Sequence, residues 1–177
     1  MNLRVCFASL ALVTSIGLSA TAAAQTPAAR PATAPSAAAR PAGPSISISP
    51  EATEAVRVVD SFSSAMTANN LAGAGTFLDP GVVIVANGVA HGSRDEYLNT
   101  TGKARAVFLG KAQAQLLRRQ ARGGPNFVWV VSSSTYKATE AGKVSTMLNT
   151  ETMLLRKGPQ GWKIIHIHWS SRGIPNR

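Results

Sequence analysis

Apolar residues recur at three- and four-residue spacing through Ala52, Val56, Val59, Phe62 and Met66. That period marks a helix burying one face. Ser49-Pro50 predicts its start, since serine can cap and proline is tolerated at the first helical position. Asn69-Asn70 predicts its end. A short second helix is expected over 71–78, weakened by Gly73 and Gly75, and Asp79-Pro80-Gly81 is expected to stop the chain. The pattern then shortens. Val82 to Ala86 is rich in β-branched residues, Asn87-Gly88 is a strong hairpin signal, and Val89-Ala90-His91 forms the return strand. Ser93 and Glu96 make a capping box. It opens a helix carrying Tyr97 and Leu98, broken near Gly102 and continuing irregularly to Phe108.

Long strands are predicted over 111–122, 127–137, 144–157 and 162–171, separated by the turn compositions Gly-Gly-Pro, Thr-Glu-Ala-Gly and Gly-Pro-Gln-Gly. Helices followed by a meander of strands predict an α+β fold, with N-terminal helices packed on a curved antiparallel sheet. Period-two alternation assigns the faces. In the last strand Ile165, Ile167 and Trp169 form an apolar row that should meet the helices, which turns Trp162, Ile164, His166 and His168 away. In the strand before it, Glu151, Met153 and Leu155 share one face and Thr150, Thr152 and Leu154 the other. Glu151 is the unusual carboxylate, lying mid-strand in LNTETMLL. It is either a candidate base or hydrogen-bonding anchor in a concavity with Met153 and Trp169, or an edge glutamate paired with an arginine such as Arg119.

Composition narrows the picture at the N-terminus. Arg4, an apolar run from Val5 to Leu18 and Ala22-Ala23-Ala24 form the pattern of a secretory signal peptide over 1–24. The run is shorter than the roughly 20 residues of a spanning helix, and no later stretch is long and apolar enough, so no transmembrane segment is expected. The expected location is secreted, in the periplasm. Cys6, the one cysteine, falls inside the signal, leaving no disulfide or thiol chemistry. A Pro/Ala-rich piece, assigned to 25–48, is expected to be a disordered linker. The single domain is assigned to 49–173.

The net charge is +10, so an anionic surface is a conceivable partner, with the linker and basic surface attaching the domain to an envelope. Basic residues are dispersed apart from Arg118, Arg119 and Arg122 and are not interleaved with aromatics, which argues against nucleic acid. His166 and His168 on one strand face could begin a metal site, but the third ligand would have to be His91, so no metal and no cofactor is expected. There is no GxSxG elbow and no phosphate-binding glycine loop. General acid/base chemistry would fall to Glu151 as base and Tyr97 as donor.

The order helix, short helix, Asn-Gly hairpin, SRDEY helix and long strands ending in TETMLLRKGPQGWKIIHIHWSSR resembles the SnoaL-like branch of the nuclear transport factor 2-like superfamily. It is similar in particular to the association domain of calcium/calmodulin-dependent protein kinase II and its bacterial relatives. The resemblance runs from Glu51 to Arg172; Glu151-Thr152 and Trp162, His166 and His168 are its most specific parts. It implies a cone of curved sheet and helices around a pocket, and a homodimer through the outer sheet face, with His166 and His168 at that interface. The kinase domain carries three strand arginines suited to a carboxylate; the matching positions here are Ser133, Met153 and Trp169, none cationic. Bacterial relatives carry an acidic residue in the first hairpin strand and a His-His pair after the EY helix, where this chain reads VIVANG and LNTTGKAR.

The reading is an exported protein that binds a small apolar or aromatic molecule in a largely apolar pocket. Trp129, Val131, Met153 and Trp169 form its walls, and Tyr97, Ser133 and Glu151 its polar contacts. The alternatives are a SnoaL-like isomerase, cyclase or dehydratase using Glu151, and a noncatalytic dimerisation or assembly module.

Overall fold

The computed structural model describes residues 43–175. The signal peptide, Cys6 and the linker up to residue 42 lie outside the described residues.

A 3-10 turn at Pro50–Ala52 leads into helix α1, Thr53–Thr67. Ala52, Val56, Val59, Phe62 and Met66 are all buried, joined by Ala55, so the periodicity identifies the packed face. Ser49 starts the turn through its backbone, its carbonyl accepting the Ala52 N–H at 3.0 Å; its hydroxyl makes no cap bond. Helix α2, Leu71–Gly75, is capped by Asn70, whose Oδ1 accepts the Gly73 N–H at 2.8 Å. It ends three residues before the expected 78 because Leu78, buried and paired with Ile164, already belongs to a strand.

That strand, β2, spans Leu78–Ala86 and runs through Asp79-Pro80-Gly81 where a stop was expected. The proline is accommodated because the pairing of β2 slips between Leu78 and Val83, so no ladder bond is asked of its missing N–H. Asn87 (φ 51°) and Gly88 (φ 81°) supply the left-handed turn into β3, Val89–His91. Helix α3, Arg94–Asn99, opens with Ser93 Oγ accepting the Glu96 N–H at 3.2 Å, while the Glu96 carboxylate accepts from Gly92 N–H at 2.9 Å. The capping box is thus displaced by one residue. The helix breaks at Thr100 (φ −122°, ψ −105°), just before Gly102, and α4 follows over Thr101–Lys111. Gly102 permits this close return: a Cβ there would sit 2.8 Å from the Tyr97 carbonyl oxygen.

Strands β4 (Gln113–Gly123), β5 (Phe127–Glu140), β6 (Lys143–Gly158) and β7 (Gly161–Ile174) form the antiparallel meander. Ser45–Ile48 is itself a strand, β1. Its SISI alternation pairs parallel with β4, Ser45 opposite Arg118 through Ile48 opposite Ala121. Arg122 adds bonds to the Ser47 carbonyl (3.0 Å) and hydroxyl (2.8 Å). The fold therefore begins inside the segment assigned to the linker. The sheet order is β1-β4-β5-β6-β7-β2-β3, with β1/β4 and β2/β7 parallel, so the expected antiparallel sheet is mixed toward both edges. The fold class is α+β, with helices on a curved, unclosed sheet.

Besides the slip in β2, bulges in β7 and β4 interrupt strict alternation. In β7 the pairing shifts so that Leu154 faces His166 and Leu155 faces Ile164. The extra residue, Ile165, is only half-buried, whereas Trp162, Ile164, Ile167 and Trp169 are buried. The inward row is therefore Trp162, Ile164, Ile167, Trp169, correcting the assignment of Ile165 inward and of Trp162 and Ile164 outward. In β4 the slip lies between Leu116 and Arg118. It turns Arg119 inward opposite buried Ser132 and leaves Arg118 opposite Ser133.

Candidate functional site

The concave face between the helices and β4–β7 holds a cavity of about 320 Å³ lined by residues of α1, α4 and four strands. Three of the expected site residues meet there: Glu151, Met153 and Trp169. Glu151 lies directly opposite Trp169 across β6 and β7, and its Oε2 accepts the Trp169 Nε1–H at 2.7 Å. Trp169 is 3% exposed, so the indole fixes the carboxylate from a rigid base. No hydrogen bond engages Glu151 Oε1 among the described residues, leaving one oxygen for a ligand.

Tyr97 lies behind this pair. It is fully buried, its ring tilted against Trp169 with centroids 5.7 Å apart and its hydroxyl without a partner. It backs the cavity rather than forming a polar contact in it. Burial pushes its hydroxyl up to about 12, the Glu151 charge adding to the rise and Arg105 opposing it. The unfolded chain ionises near 10, so between pH 10 and 12 it sheds a proton that the folded chain keeps, and stability falls as pH rises through that window. A two-unit difference is worth roughly 2–3 kcal/mol. Tyr97→Phe, which removes an unpartnered hydroxyl, is expected to leave neutral-pH stability within about 1 kcal/mol and to flatten the alkaline loss, read by denaturant melts from pH 8 to 12. Tyr136, also raised by burial and by Glu151, keeps part of the slope.

Trp129, Val131 and Ser133 do not reach the cavity. Val128, Val130 and Ser132 are the buried row of β5, so the expected residues lie on the opposite parity. Trp129 is 39% exposed on the outer face, and Ser133 shares a 3.3 Å hydroxyl contact there with Thr150. The residues that take their place were missed by the strand reading: Ser134 and Tyr136 from β5, Arg119 from β4 and Arg105 from α4. A parity shift of one along β5 would have found the first two. Arg119 required the β4 bulge.

These residues change the character of the pocket. Arg119 donates to Asp60 and, at 3.1 Å, to Ser132 Oγ. The Arg105 guanidinium lies over the Trp169 ring at 4.1 Å from its centroid. Phe62, Met66, Leu109, Leu116 and Met153 supply apolar wall. The pocket is therefore mixed, apolar surface carrying two arginines and two carboxylates, in place of the largely apolar one expected. Arg105 and Trp169 also line an adjoining cavity of about 400 Å³ toward the β2–β3 turn, with Phe108, Met147, Thr101 and Asn87.

His166 and His168 point away from all this. His166 pairs with Leu154 and Val83, and His168 with Thr152 and Val85, on the outer face. His91 is buried beneath the sheet edge, edge-on to Tyr97 at 5.8 Å, and so on the other side from them. Among the described residues no three His, Cys, Asp or Glu side chains are placed to hold a metal ion. No helix of the described residues is long and apolar enough to cross a membrane.

The cone of helices on a curved sheet and its interior pocket define the nuclear transport factor 2-like fold. Within it, the family model of the SnoaL-like domain matches residues 56–175, and the chain belongs to that family. None of the curated proteins matches it. Among solved structures, a protein from Shewanella frigidimarina NCIMB 400 proposed to be a ketosteroid isomerase is similar, at 27% identity and TM-score 0.63 over 70% of this chain and 99% of that one. A proposed calcium/calmodulin-dependent protein kinase II association domain from Xanthomonas campestris is similar at 22% identity and TM-score 0.56, covering 73% and 91%. The S. rosetta calcium/calmodulin-dependent protein kinase II hub gives 19%, 0.58, 75% and 100%.

Proposed function

We propose that this is an exported protein whose cone binds a small organic molecule, with Glu151 as the hydrogen-bonding anchor. The observation that carries this reading is a carboxylate fixed by a buried indole, with its second oxygen uncommitted, at the floor of a cavity with apolar walls. A ligand donor would meet Glu151, and its body would lie along Met153, Phe62 and Trp169. Titration of tryptophan fluorescence against small aromatic and steroid-like compounds tests it, with Trp129→Phe used to remove the exposed outer-face signal. A saturable shift that survives Trp129→Phe and weakens in Glu151→Gln is expected; no shift with any compound would count against the pocket.

The same uncommitted oxygen favours a second reading, an isomerase or dehydratase in which Glu151 is the base. Glu151→Gln would then abolish turnover while a substrate analogue still bound. Tyr97 is a poor donor in either case, because its hydroxyl lies sealed behind Trp169.

The outer face supports a homodimer. Val83 (45% exposed), Phe127 (52%) and Trp129 present apolar surface beside His166 and His168, and two of the similar structures are association or hub domains by name. Light scattering at twice the monomer mass would fit; higher assemblies would point to the assembly module instead. Export itself rests on the N-terminal pattern, and a mature chain starting after Ala24 would agree with it.

A further inference from the structure

Two arginines enter the cone, and they differ in one respect. Arg119 is neutralised by Asp60 and held by Ser132. Arg105, half-buried, has no ion pair among the described residues, and its guanidinium carbon lies over the Trp169 ring, 4.1 Å from the centroid. A guanidinium held over an indole by its charge still has N–H groups that can fork onto an anion. A cation partly removed from water without a counter-ion gains most from a ligand that brings one.

The two compartments differ just as sharply. The first has Asp60 and Glu151 on its wall, which repel a carboxylate. The second has no Asp or Glu among its lining residues, and it offers Thr101 and Asn87 beside the apolar Phe108, Met147 and Trp169. Arg172 also lines the second compartment, but it is exposed and has the opposite strand parity to buried Trp169, whereas Arg105 is half-buried.

We propose that Arg105 selects the ligand's charge: the molecule is a small organic monoanion whose carboxylate lies on Arg105 on its second-compartment side, with an apolar or aromatic body running along Trp169, which lines both compartments, toward Met153 and Glu151 in the first. This rests on the small-ligand reading and specifies its ligand class. The cation that holds the carboxylate comes from a helix residue, not from the strand positions Ser133, Met153 and Trp169. A bidentate guanidinium–carboxylate contact strengthens binding and fixes orientation.

Calorimetric titration of the full mature chain with 3-phenylpropanoate and with its neutral amide, 3-phenylpropanamide, separates the possibilities. The acid is expected to bind at least about tenfold more tightly than the amide, an advantage that shrinks as salt is raised. Arg105→Gln should bring the two to near parity, and Arg105→Lys should restore part of the difference. Equal or tighter binding of the amide to the native protein would overturn the monoanion while leaving the small-ligand reading intact. An acid preference that survives Arg105→Gln would overturn the role of Arg105. Failure of both compounds to bind at millimolar concentration would remove this proposal, and a blank compound library as well would remove the pocket reading beneath it. The native acid-to-amide ratio and its salt dependence need no variant, so they stand even if Arg105→Gln folds poorly.

Discussion

Trp169→Ala is expected to cost about 3–5 kcal/mol of folding stability, the range for truncating a large buried aromatic side chain. The loss has three sources. The indole is 3% exposed and fills the centre of the cone between Tyr97 and Arg105, so its removal leaves a void in the packing. Its Nε1–H donates to Glu151, so the carboxylate loses its partner in a half-buried position, a penalty beyond the lost volume. Finally, Arg105 loses the surface on which it lies. Trp169→Phe should recover much of the packing but not the hydrogen bond. Urea melts of the three proteins would show the alanine variant far below the phenylalanine variant, itself below native. A loss under about 1 kcal/mol for Trp169→Ala would mean that the indole does not seat as described.

The second large effect is expected at Gly123, where β4 turns toward β5. A Cβ there would lie 2.1 Å from the Phe127 carbonyl oxygen and 2.7 Å from the Val128 Cα. Both are backbone atoms of the paired strand, so no rotamer change relieves the overlap; β4 and β5 must separate or the turn must be rebuilt. Gly123→Ala should therefore cost about 3 kcal/mol, the upper end for overpacking. Gly124 is the internal control, since nothing lies within 4 Å of a Cβ built on it, and Gly124→Ala should stay within about 0.5 kcal/mol. Coincident thermal melts for the two variants would show that the close approach is absent in solution.

The periodic elements were legible because their signals are local. Four apolar positions of α1 with Ala52 just before it, the Asn87-Gly88 turn and the four long strands follow from spacing and turn chemistry alone. Glu151, Met153 and Trp169 were legible too, since β6 keeps its alternation and Trp169 lies beyond the β7 bulge. Ile165 and Arg119 were not, because a bulge changes which side of the sheet a residue faces without leaving a mark such as Gly or Pro. Trp129, Val131 and Ser133 failed for a simpler reason. In β5 both rows contain apolar residues at one end and serines in the middle, so alternation is nearly symmetric and parity is settled by the neighbouring strands. Arg105 was invisible to strand reasoning because it comes from α4, whose apolar face is weak, and the break at Thr100 sets its direction.

The two shortest strands have a bearing on how the protein avoids aggregation. A long exposed strand offers unpaired N–H and C=O groups to any other chain. Here β5, β6 and β7 are all interior, and the sheet ends instead on β1, four residues, and β3, three residues. β1 shields the upper part of β4, from Arg118 to Ala121. A shortened form cut at Ser49 would keep the helices and the cavity residues yet uncover that stretch of β4 to intermolecular pairing. The segment that reads as the end of a tether therefore works as a guard on the sheet, and the safe boundary of the folding unit lies before Ser45.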